Sequence, residues 1–108
     1  MTRDELLAAL RELEGKLRSA KVQSHFAAQD EHTRRRFVAV RIELSRAIGE
    51  LTNEQLATVE RQLNHLDGDL RVGITGLQRV LDDLADTVAI FDAAGKILGL
   101  VGQVVPLV

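Results

Sequence analysis

The chain has 108 residues, room for one domain, with 45% hydrophobic residues, 28% charged residues and a net charge of −2. That balance excludes a disordered chain, and the complete lack of Cys excludes disulfides, thiolate metal sites and cysteine nucleophiles. Charge is divided unevenly, with ten Lys/Arg against eight Asp/Glu up to Glu50 and four against eight from Leu51 onward. The asymmetry suits two halves lying against each other, and not a nucleic-acid binder with one concentrated basic face.

The hydrophobic residues are mostly Leu, Val, Ile and Ala, with three Phe and neither Tyr nor Trp. A core so poor in aromatics predicts long helices meshing along an aliphatic seam rather than a globule around a central pocket. The start, Met1-Thr2-Arg3-Asp4-Glu5, is charged and unlike a secretory signal. Together with the lack of Cys it leads us to expect a cytoplasmic protein.

Thr2 followed by Glu5 predicts a capping box, and Leu6, Leu10, Leu13, Leu17 and Ala20 follow in steps of four and three, a heptad stripe. Gly15 lies off that stripe. Between Ser24 and Arg36 the pattern blurs, and Gln29-Asp30-Glu31-His32-Thr33-Arg34-Arg35-Arg36 has no aliphatic residue. Apolar spacing resumes at Phe37, Val40, Leu44, Ala47 and Leu51 in a shifted register, as at a coiled-coil stutter or a helix break. Gly49 predicts a left-handed helix end, with Thr52 as the next N-cap, Gln55 closing a capping box and Leu51 stapled to Leu56.

The second arm carries Leu56, Val59, Leu63, Leu66, Leu70, Ile74, Leu77, Leu81, Leu84, Val88 and Phe91, nearly all three or four apart. Asp67-Gly68-Asp69 could interrupt it, but a helix through about Phe91 is expected. Beyond Phe91, Gly95, Gly99 and Gly102 alternate with aliphatic residues as far as Pro106, which ends the element. Helix is favoured there over a β-hairpin around Ala93-Ala94-Gly95.

The expected fold is therefore all-α. Residues 1–91 form a long, coiled-coil-like antiparallel helical hairpin with its turn at 49–52. Residues 92–108 form an apolar, Gly-rich C-terminal extension of the same domain. Each arm of about 45 residues would be close to 70 Å long, and residues whose numbers sum to about 101 would face each other. Two lone helices bury only a narrow seam, and Val38, Ile42, Ile48, Val72, Val80 and Ile90 widen the apolar face beyond it. A homo-oligomer, most simply a dimer forming a four-helix bundle, satisfies those faces; another helical protein would satisfy the same physics.

The leading functional expectation is a non-catalytic interaction or scaffold module that self-associates through Leu63, Leu70, Leu77, Leu84, Val88 and Phe91. Ser19, Ser24 and Ser45 have no His/Asp arrangement beside them, no Gly-rich phosphate loop is present, and no cofactor is expected. One alternative is a divalent-metal site. In the folded-back hairpin His32 falls near Asp69, which shares a helix face with His65, and Asp30 or Glu31 could add a carboxylate. A second alternative is membrane contact through the apolar tail, disfavoured because Lys96 is its only cation. Arg34-Arg35-Arg36 reads as a solvated face paired with Asp30 or Glu31 rather than as a phosphate, RNA or lipid contact.

Overall fold

The computed structural model of the chain describes residues 1–84 and 86–105. Among them are five α-helices: α1 Arg3–Leu17, α2 Ala20–Ala27, α3 Glu31–Asn53, α4 Leu56–Asp83 and α5 Thr87–Val104. The all-α expectation is met, and the tail is helix rather than β-hairpin. Pro106, expected to end it, lies outside the described residues.

The helix boundaries follow from side chains that satisfy the orphan backbone groups of each end. The Thr2 hydroxyl accepts from the Glu5 N–H while the Glu5 carboxylate accepts from the Thr2 N–H, the expected capping box. At the far end of α1 one hydroxyl serves two helices: Ser19 Oγ donates to the Lys16 carbonyl and accepts from the Val22 N–H, opening α2. The polar stretch after Ser24 resolves into a break. Helix α2 stops at Ala27, and the Asp30 carboxylate accepts from the Thr33 N–H at 2.8 Å to start α3.

The turn expected at 49–52 is displaced. Gly49 and Thr52 are both helical, and α3 runs on to Asn53 because Ala47 and Leu51, 0% exposed, hold its last turns in the core. The Thr52 hydroxyl donates back to the Ile48 carbonyl instead of capping a new helix. Helix α4 starts after Gln55 with no side-chain cap, and the Leu51–Leu56 staple does not form, since Leu51 is buried and Leu56 exposed.

Helix α4 passes through Asp67-Gly68-Asp69 without interruption. It ends at Leu84, whose φ of 56° places a non-glycine residue in the left-handed region. Asp86 then caps α5 by accepting from the Ala89 N–H, and α5 continues without a break across residues 91 and 92.

The two arms of the expected hairpin are thus each divided, and the molecule is 43 Å in its longest dimension rather than near 70 Å. Helices α1, α3, α5 and α4 form a closed ring in that order, with α2 packed on α1 and α3. Helices α3 and α4, joined by the short turn, lie across the ring's diagonal rather than side by side. Arg3 reaches the Glu54 carbonyl and Ser45 reaches Glu14, so α1 and α3 run antiparallel. The Met1 amine meets Asp67 and Lys16 meets Asp82, so α1 and α4 run parallel, unlike the expected pairing of numbers summing to about 101.

The ring encloses an aliphatic core. Leu6, Leu10, Leu13 and Leu17 of α1, Leu44 and Ala47 of α3, Val59, Leu63, Leu70 and Leu81 of α4, and Ile90, Ile97 and Val101 of α5 are at most 3% exposed. At the end nearest α2 all three phenylalanines meet: Phe26 stacks on Phe37 at 4.2 Å between centroids and lies 5.6 Å from Phe91. Gly73 lets α4 and α5 pack closely, since a Cβ there would stand 3.3 Å from Ile97 Cγ1.

Candidate interaction surface

The residues expected to form an intermolecular seam fall in two groups. Leu63, Leu70, Leu77 and Phe91 are buried in the chain's own core, Leu84 is half-buried at the α4 terminus, and Val88 is exposed at the start of α5. The first four therefore face other helices of the same molecule, and only Val88 lies open to a partner.

The metal candidate is not assembled. His32 lies in the first turn of α3, while His65 and Asp69 are on the outer face of α4, across the ring's diagonal. All three are exposed, and among the described residues no group of three His, Cys, Asp or Glu side chains could hold a metal ion. The folded-back hairpin that brought them to one height is replaced by the ring. His25 is turned elsewhere, with Nε2 3.2 Å from the Thr87 hydroxyl.

What the structure does gather is a face on α3. Val38 and Ile42, one helical turn apart, point away from the ring and are 48% and 55% exposed. Arg18 from the end of α1, Arg41 and Ser45 join them in a shallow groove of about 250 Å3 between α1 and α3. Val38 also belongs to an open depression of about 500 Å3 with Glu31, Arg34 and Arg35, so one trough runs along the helix. Arg46 lies one turn beyond Ile42 and is exposed.

The charges of this face are only partly answered within the chain. Glu31 pairs with Arg35 at 2.6 Å, as the four-residue spacing predicts, and Glu14 lies 3.8 Å from Arg18. Arg34 donates to the Gln29 carbonyl, a neutral acceptor. Arg41 lies 5.6 Å from the Phe37 ring, and its buried Nε has no hydrogen-bond partner among the described residues. Arg18, Arg34, Arg35 and Arg41 line the trough against Glu31, with Glu14 beside Arg18, so it is net cationic. Arg36, the third of the arginine run, is directed away from it, over the Phe91 ring at 4.3 Å.

Elsewhere the ionisable groups hold the fold. Hydrogen bonds from the Thr2 backbone and hydroxyl hold the Glu5 carboxyl below its ordinary value, and the Thr33 backbone N–H does the same for Asp30. The Met1 amine and then Arg71 lower Asp67. Of the acidic group Asp82, Asp83 and Asp86, the Asp82 carboxylate takes Lys16 and its carbonyl takes Lys21. These contacts offset negative charge at the unfavourable end of α4.

Val38 and Ile42 stand out in the sequence as apolar positions off the main stripe, but their joining to Arg18 depends on the α1–α3 packing and has no local signature. Comparison with family models, with curated proteins and with solved structures finds no match.

Proposed function

We propose that this chain is a non-catalytic helical interaction module that engages its partner through the outside of the ring, chiefly the α3 face, rather than through its leucine seams. The observation that carries this is the pair Val38 and Ile42. Both are large aliphatic side chains held in water at adjacent turns of one helix, within a trough walled by arginines.

Self-association through Leu63, Leu70 and Leu77 loses its driving force in this arrangement, because their surface is already removed from water inside one chain. A symmetric contact between two α3 faces would set arginine against arginine, which opposes a homodimer built on the trough. The divalent-metal reading is not carried forward, since its residues lie apart.

A membrane reading keeps one specific observation: α5 is long and apolar enough to cross a bilayer by length and composition. Its Ile90, Ile97 and Val101 would have to leave the core for it to do so.

The test is binding to three synthetic amphipathic helical peptides that share a leucine face and differ in having acidic, neutral or basic polar faces, read by fluorescence anisotropy. The interaction reading expects at least one to bind and the Ile42→Asp variant to bind it more weakly at unchanged helicity. If none binds, or if Ile42→Asp makes no difference, the α3 face is not the working surface.

A further inference from the structure

We infer that the α3 trough takes an acidic amphipathic helix from another protein, with aliphatic side chains seated on Val38 and Ile42 and carboxylates set against the arginines on either side. This rests on the interaction reading above and specifies the partner's chemistry.

The helical geometry fixes the layout. Val38 and Ile42 form a short apolar line, Arg34 and Arg41 lie to one side of it, and Arg35 to the other, with Arg46 farther along that side beside Glu43 at the α5 edge. From Arg34 to Arg46 is about 18 Å at 1.5 Å per residue, the length of a little more than three turns of a partner helix. Arg18 closes the α1 side of the groove, where Arg41 also lies with its unpartnered Nε. An apolar line between two cationic borders is complementary to a helix with leucine-type residues at i and i+4 and Glu or Asp beside them.

The same layout disfavours the other anionic partners. A nucleic-acid backbone would use the arginines and leave Val38 and Ile42 without a role. A membrane-surface helix carries a broad apolar face with aromatic or leucine residues to insert, whereas this face presents two aliphatic side chains and no ring. Surface arginines separated by water from their partner would also be screened within about 8 Å at physiological salt, so direct seating of the helix is needed for strength.

The full chain is titrated against the acidic, neutral and basic peptides described above, at low and at high salt. Two variants accompany it, Ile42→Asp and the double variant Arg34→Glu with Arg35→Glu. Both double-variant positions are exposed, so although Arg35→Glu replaces the Glu31 ion pair with a like-charge pair one turn apart, the fold is expected to hold, as circular dichroism will check. The acidic peptide is expected to bind best, to weaken as salt rises, and to weaken by at least about tenfold in each variant. Preferential binding of the neutral or basic peptide overturns the acidic assignment and leaves the interaction reading standing. Binding of no peptide overturns both. Sedimentation with phosphatidylserine vesicles without binding to the acidic peptide overturns the inference in favour of a membrane surface.

Discussion

Helices α3 and α5 divide the molecule's hydrophobicity in opposite ways. Helix α5 is the most apolar of the five, yet Ile90, Phe91, Ala94, Ile97, Leu100, Val101 and Val104 are buried, and outward it turns Gly95, Gly99 and Gly102 with the single aliphatic Val88 at its start. Helix α3 carries many more charges, yet it leaves Val38 and Ile42 in water. Hydrophobic content by itself therefore says little about where a partner would bind. Leu56 and Val72 of α4 and Val88 of α5 are also exposed, but singly; two outward aliphatics one turn apart are the informative feature, and that pair belongs to α3.

The largest effects should come from the inward faces. Leu77→Asp places an unpaired charge in the ring and should cost more than about 4 kcal/mol, enough to abolish the thermal transition. A well-folded Leu77→Asp protein would show that α4 does not face the core at that position. Leu70→Ala should cost about 2–5 kcal/mol in denaturant unfolding, with Leu6→Ala alike.

Helix starts come next. Asp30→Ala should lower stability measurably by removing the α3 cap, and Asp86→Ala should cost about 1 kcal/mol at α5. The Asp30, Asp67 and Glu5 carboxyls are depressed from ordinary values of 3.8, 3.8 and 4.5. Each therefore contributes stability that is fully present above its ordinary value and is lost as pH falls through its lower folded value. Melting temperature followed downward from neutral pH should decline through that acidic range, and less steeply in Asp30→Asn. An identical decline in that variant would show the Asp30 cap to be inert.

The smallest effects separate the outer lines of the two helices. Nothing lies within 4 Å of a Cβ built at Gly95 or Gly99, so alanine at either should raise stability by up to about 1 kcal/mol through helix propensity. Gly73→Ala should fall short of that gain, because Ile97 must give way. Ile42→Asp should change stability by no more than about 0.5 kcal/mol, since its side chain is in water. A large loss there would mean that α3 is turned differently.

The sequence made the inward faces legible because leucine spacing reports directly on which side of a helix is apolar. Leu6, Leu10, Leu13 and Leu17, then Val59, Leu63, Leu70, Ile74 and Leu77, are in the core as their periodicity implies. What covers those faces was not legible, since a heptad stripe is the same whether its partner is a second chain or another helix of the same one.

The answer depends on where the chain reverses, and the reversal signals were uneven. Gly49 has the composition of a helix end but is overridden by buried Leu51 two residues on. Leu84 ends α4 in a left-handed conformation that no leucine advertises, and Ser19 acts as a cap inside what reads as a continuous stripe. The α3 face was half legible. Val38 and Ile42 were visible as surplus apolar positions, while the groove with Arg18 arises only from the ring.

The closure of the ring within one chain is tested most directly by solution mass and small-angle scattering of the same dilute sample. The ring predicts a particle of 11.9 kDa with a Cα radius of gyration near 13.7 Å and a longest dimension close to 43 Å before hydration. A dimer mass with a longest dimension approaching 70 Å would contradict it, and would return the leucine seams to the interface between two extended hairpins.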